Sequence, residues 1–179
     1  MSFRTLTASL LLLLLTSCAT QPNTAATLGN LMVQRLSWMD EVAQIKQARS
    51  LPITDPVREA ALLQSMEKLG AESALPPRAT RQFFSGQMTA ARQLQSEWLN
   101  QHPAHAARPQ AAPLPDLNFT IRPALDQIGR QMISALADAR QSPAAAAEII
   151  AKARQRLDQA GYSAAVITPA IHGLEAALK

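Results

Sequence analysis

Apolar residues along this chain recur at spacings of three and four, the period of a helix that buries one face. Leu28, Leu31, Met32, Leu36, Met39, Val42 and Ile45 predict a first helix from about residue 28 to residue 48, stopped before Pro52. Asp55 is a good N-cap and Pro56 suits the first helical position, so a second helix starts there. It continues through Leu62, Leu63, Met66 and Leu69 and weakens after Gly70. Pro76-Pro77 open a third helix carrying Phe83, Phe84, Met88, Leu94, Trp98 and Leu99. Residues 101–117 are rich in Pro, Ala and His without any period, and read as a long connector. Leu125, Ile128, Met132 and Leu136 mark a fourth helix, and Ser142-Pro143 restart the chain as a fifth, ending near Gly161. A sixth covers roughly residues 163–178, with an interruption expected at Pro169. No stretch alternates with the period of a strand. The expectation is an all-α, six-helix single domain over residues 28–179, with a first part at 28–100, the connector at 101–117 and a C-terminal helical half at 118–179.

The N-terminus breaks this pattern. Arg4 precedes an apolar run over residues 7–15, shorter than the ~20 residues a spanning helix needs and the size of the hydrophobic part of a secretory signal. Leu15-Thr-Ser-Cys18 follows and resembles the lipobox of bacterial lipoprotein precursors, in which the cysteine is acylated and becomes the first mature residue. Ser17-Cys18-Ala19 also fits ordinary signal cleavage at small residues; on either reading residues 1–17 leave and the chain is exported. Residues 18–27 read as a tether. Cys18 is the only cysteine of the chain, so no intrachain disulfide holds the body.

Charge adds a little. Lys and Arg total 17 against 13 Asp and Glu, with Arg dominating. This mild excess lacks the concentrated basic stripe that nucleic acid requires and suits a small anion. With no cysteine or carboxylate spaced to join His102, His105 or His172, no metal site is expected.

The informative residues are charges on the apolar stripes. Arg35 and Lys46, eleven residues apart, would project from nearly the same face of one helix, roughly 16 Å apart along its axis. Cations on a core-facing stripe are costly unless something pairs with them; a buried carboxylate or snorkelling to solvent would serve as well as a ligand. Asp55, Arg58 and Glu59 gather at the next helix start, where backbone N–H groups also point outward. On the third helix Phe84, Gln87, Ala91, Gln95 and Trp98 share a face, and its two amides must find partners. Arg49, Arg78, Arg81, Arg92 and Arg130 read as solvated.

Together, Arg35-Leu36, Lys46, Leu51-Pro-Ile-x-Asp55-x-x-Arg58-Glu59, Phe84-x-x-Gln87 and Gln95-x-x-Trp98 resemble the all-helical (AroQ-type) chorismate mutases, best the secreted or periplasmic gamma subclass. The resemblance is dense over about residues 28–99 and weaker through Pro115-Asp116-Leu117 and Arg122-Pro-Ala-Leu-Asp126. It implies that Arg35, Arg58 and Arg122 hold the two carboxylates of chorismate, and that Lys46 and Gln95 are the catalytic donors to its ether oxygen. Glu59, with the backbone near Asp55, would receive the ring hydroxyl. It also implies a homodimer with one complete pocket per chain, and no metal or cofactor. Two positions depart from the pattern. Ala91 stands where relatives carry a hydroxyl that helps seat a ring carboxylate, and Gln95 stands where close relatives can have Glu. Two rivals remain at this point, a non-catalytic helical envelope lipoprotein and a chorismate-binding sensor without turnover. No membrane contact is expected beyond an N-terminal lipid anchor.

Overall fold

The computed structural model describes residues 24–103 and 113–179; the signal segment, Cys18 and His105 lie outside the described residues. All six expected helical segments are present, the first divided in two. They are α1 (Thr24–Leu36), α2 (Met39–Ala48), α3 (Pro56–Glu72), α4 (Pro77–Gln101), α5 (Arg122–Arg140), α6 (Ala146–Gln159) and α7 (Ala164–Leu178). A single π-helical turn at Leu117–Ile121 leads into α5, and a 3-10 turn at Pro143–Ala145 leads into α6. Helix α1 begins at Thr24, inside the segment read as a tether.

The division corrects the expected continuous helix over residues 28–48. Ser37 donates its hydroxyl to the Gln34 carbonyl at 2.9 Å, a local bond that competes with the helical ladder and loosens it at Ser37-Trp38. Helix α1 therefore packs against α5 and α6, while α2 packs against α4 and the π turn. Arg35 and Lys46 consequently stand on two helices. The interruption expected at Pro169 does not occur: α7 runs through it unbroken. Pro169 is the sixth residue of α7, so the N–H it lacks would have bonded within the first turn, and close packing on α4 offsets the loss.

That packing is tight because two glycines face each other. A Cβ on Gly86 of α4 would meet the Pro169 carbonyl oxygen at 2.5 Å, and one on Gly173 of α7 would meet the Gln82 carbonyl oxygen at 2.9 Å. Phe83 and Phe84, both buried, meet edge to face with centroids 5.2 Å apart beside this contact. The core runs between α4 and the other helices without a break, joining Leu28, Met32 and Leu36 of α1 to Met132 and Leu136 of α5 and Ile171 and Leu174 of α7.

Three helices end in the same paired-bond motif, with the residue two past the cap bonding back by five and the one before it by three. At α2 the Leu51 N–H reaches the Lys46 carbonyl at 2.8 Å and the Ser50 N–H reaches Gln47 at 3.1 Å. At α3 the Leu75 N–H reaches Gly70 and the Ala74 N–H reaches Ala71. At α6 Tyr162 and Gly161 repeat the pattern. The motif needs a left-handed residue, and only α6 has glycine there (φ 80°); Ser50 (φ 53°) and Ala74 (φ 58°) adopt it with a Cβ.

Two stability outcomes follow. Gly86→Ala should destabilise by about 2 kcal/mol or more, because the clash is with backbone rather than a movable side chain. Ala74→Gly should stabilise by up to about 1 kcal/mol by relieving the left-handed strain. Urea unfolding followed by circular dichroism reads both, and an unchanged midpoint for Gly86→Ala would show that α7 can slide.

Candidate active site

Between α1, α2, α3, α4 and α5 lies an open cleft with a cavity volume of about 130 Å³. Its walls are apolar where Met39 and Val42 of α2, Leu62 of α3, Met88 of α4 and Leu125 of α5 face it. Its charge is unbalanced: Arg35, Lys46, Arg58, Arg92 and Arg122 against Asp55, Glu59 and Asp126, a net of +2.

The structure brings together every residue expected there from the sequence: Arg35, Lys46, Asp55, Arg58, Glu59, Ala91, Gln95 and Arg122 all line this cleft. Cys18, the expected lipidation site, lies outside the described residues.

Arg35 comes from the last turn of α1 and is 5% exposed. Among the described residues it makes no hydrogen bond or ion pair, and its Nε is buried with no partner. Burial pulls its guanidinium down from the ordinary arginine value to about 10, with Asp126 acting in the opposite sense. Between those values the unfolded chain binds the proton more tightly than the folded one. The penalty of burying the charge is therefore fully present at neutral pH and fades as the pH rises through about 10.

Lys46 lies at the third residue from the end of α2, where the helix-ending motif fixes its backbone. Its Nζ donates to the Ile53 carbonyl at 2.5 Å, which leaves two of its three N–H groups. Burial lowers its pKa, Asp55 and Glu59 counteract this, and Arg122 reinforces it. Asp55 caps α3, its Oδ1 accepting from the Arg58 N–H at 3.0 Å, so capping and cleft lining coincide. The Arg58 side chain points to Asp126 at 3.6 Å.

Gln95 is 4% exposed. One donor direction of its Nε2 is taken by the Ala91 carbonyl at 3.1 Å, and the Met39 Sδ sits at 3.6 Å as a weak acceptor. Its Oε1 has no partner. Ala91, also lining the cleft, presents a methyl group and no hydroxyl. Gln87, one turn earlier, is wholly buried with neither amide atom bonded, and it does not line the cleft.

Arg122 is placed by the π turn. Asp116 accepts from the N–H groups of Phe119 at 2.8 Å and Asn118 at 2.7 Å, bonds that hold its carboxyl below the usual range. Asp116 also faces Arg49 at 3.7 Å. Arg122 follows as the first residue of α5 and donates to the Asn118 side chain.

Two cleft residues escaped sequence reasoning. Arg92, read as solvated, lines the cleft and donates to Glu59 Oε2 at 2.6 Å. The signal was its position next to Ala91 on the face that also carries Gln95. Asp126, noted only within a motif, is the carboxylate that faces both Arg58 and Arg35. Arg81 instead pairs with Glu67 at 2.5 Å, and Arg78 and Arg130 are exposed.

The model of the family chorismate mutase type II matches residues 26–96. Among solved structures, a chorismate mutase from Burkholderia thailandensis is 30% identical and aligns over 87% of this chain and 99% of its own, with a TM-score of 0.72. A chorismate mutase from Burkholderia phymatum is 24% identical over 86% of this chain and 95% of its own, with a TM-score of 0.73. A secreted chorismate mutase from Yersinia pestis is 19% identical over 86% and 96%, with a TM-score of 0.68. No curated protein matches by sequence. With a cleft built from the expected residues and a relative aligned over nearly its whole length, the chain belongs to the chorismate mutase type II family.

Proposed function

We propose that the cleft binds chorismate and isomerises it to prephenate. The observation that carries this reading is its charge balance. Asp126 faces Arg58 and Glu59 holds Arg92, while Arg35, Lys46 and Arg122 form no ion pair with a carboxylate among the described residues. Chorismate carries two carboxylates, and its rearrangement develops further negative charge on the ether oxygen. Three cations without carboxylates suit that substrate.

The roles are those that the family resemblance implies, and the geometry and the reaction support them. The rearrangement breaks the ether C–O bond as a C–C bond forms between the enolpyruvyl methylene and the ring, within one molecule. A protein accelerates it by holding the enolpyruvyl arm over the ring and by aiming donors at the oxygen. Arg35, Arg58 and Arg122 take the carboxylates, where guanidinium pairs fix orientation as well as charge. Lys46 offers the ether oxygen an N–H left over from Ile53. Gln95 offers the N–H now resting on a thioether, which an ether oxygen readily displaces. Glu59 Oε1 accepts the ring hydroxyl while Oε2 stays on Arg92. Ala91 leaves the ring carboxylate without a hydroxyl partner.

Arg4, the apolar run and Leu15-Thr-Ser-Cys18 support export, with Cys18 acylated as a lipoprotein anchor. The secreted relative from Yersinia pestis agrees with export. A homodimer is the assembly that the resemblance implies.

Chorismate loss followed by ultraviolet absorbance, on protein from Ala19 onward, tests the activity. Turnover is expected, with kcat/KM falling roughly 10²- to 10³-fold in Lys46→Ala. Binding of chorismate without turnover would leave a sensor, and a folded protein that does neither would leave a scaffold.

The pH profile gives a second test. An amide donates at any pH, so activity should be level through neutrality. It should fall on the alkaline side at a pH below the ordinary lysine value of 10.5, as Lys46 loses its proton early. Gln95→Glu puts a carboxyl in a buried position that must be protonated to donate, so its activity should rise as the pH falls. A steep acid rise in the unmodified protein would contradict the role given to Gln95.

A further inference from the structure

The carboxylates of the cleft are restrained in different ways. Asp55 is committed to the start of α3 through the Arg58 N–H, and Asp126 faces the Arg58 guanidinium. Glu59 is held by a side chain alone: Arg92 Nη1 donates to its Oε2 at 2.6 Å. Arg92 is itself anchored, its Nη2 donating to Thr89 Oγ1 at 3.0 Å while that hydroxyl donates to the Ser85 carbonyl at 3.0 Å. A relay thus fixes Glu59 to the backbone of α4.

Lys46 lines the same cleft with a neutral carbonyl as its one hydrogen-bond partner among the described residues. The charges that act on its ammonium are Asp55 and Glu59, which attract the proton, and Arg122, which repels it. Asp55 keeps its Oδ1 on the cap of α3, which restricts how far this carboxylate turns toward Lys46. Glu59 has three rotatable side-chain bonds and, freed from Arg92, would take the nearest available cation. A Lys46–Glu59 pair in this half-buried setting would be strong, because the charges are poorly screened there. It would also leave Lys46 one free N–H instead of two and draw the ammonium toward Glu59.

We propose that Arg92 is a positioning residue that holds Glu59 away from Lys46 and so keeps the Lys46 ammonium free to donate to the reacting oxygen. The effect on rate rests on the chorismate reading; the arrangement of charges rests on geometry alone.

Two readouts test it across Arg92→Ala, Glu59→Gln and the double variant: kcat for chorismate, and titration of the Lys46 side chain by carbon NMR. Arg92→Ala should lower kcat roughly tenfold with a smaller change in KM. The same substitution should move the Lys46 titration upward. Adding Glu59→Gln should reverse both, bringing kcat up to the level of Glu59→Gln alone, because a neutral amide cannot hold the ammonium. Arg92→Lys should keep most of the activity. A merely structural arginine would give losses that multiply in the double variant and an unmoved Lys46, and either result overturns the proposal. Should Arg92→Ala fail to fold, as judged by circular dichroism, Arg92→Gln carries the same test. If the unmodified protein does not turn chorismate over, the activity reading fails, and the Lys46 titration still decides whether Arg92 holds Glu59 away.

Discussion

A guanidinium buried at the end of α1, with no hydrogen bond or ion pair among the described residues, sets the terms for the rest of this structure. Burial pulls its pKa down from the ordinary arginine value to about 10, which corresponds to a cost on the order of 3 kcal/mol at neutral pH. A domain whose net stability is typically about 5–15 kcal/mol cannot carry many such charges. The surrounding helices meet that cost in two ways. Asp126 sits within electrostatic reach without closing an ion pair, and α1, α4 and α5 pack apolar side chains tightly around the remainder of the core. The result is a cation without a hydrogen bond or ion pair among the described residues, which suits it to a ligand carboxylate. Affinity for an anion and loss of stability in the empty protein are here two sides of one arrangement.

The other elements fix what surrounds Arg35. The loosened ladder at Ser37-Trp38 lets α1 follow the C-terminal half while α2 stays on α4, so Arg35 and Lys46 approach the cleft from separate helices. The motif that ends α2 anchors the Lys46 backbone, and the Asp55 cap orients Arg58 and Glu59. Asp116 shapes the turn that delivers Arg122. Helix α4 serves both sides, offering Ala91, Arg92 and Gln95 to the cleft and Gly86 to α7.

Helix periodicity, proline positions and the Asp55-Pro56 start were legible because each is local. Arg35, Lys46 and Gln95 were legible because charges and amides on apolar stripes need an explanation, whereas Ala91 and Arg122 were legible only through the family resemblance. What escaped depended on contacts between distant residues. The break in the first helix turns on one serine hydroxyl taking a carbonyl, and the apolar stripe runs through it undisturbed. Pro169 looked like a stop because its cost is local and the compensating α4 contact is not. Ser50 and Ala74 end helices without the glycine that would announce them. Arg92 resembled any solvated arginine until its partner, 33 residues earlier, came to lie beside it.

All of the side chains described around the cleft, from Arg35 to Asp126, come from a single chain, with the arginine farthest along the sequence supplied through the π turn. The part of a site that one chain supplies is assembled as that chain folds, by a unimolecular process. Mass action, which dissolves contacts shared between subunits as protein becomes scarce, does not act on that part. Dilution alone would not take these residues apart.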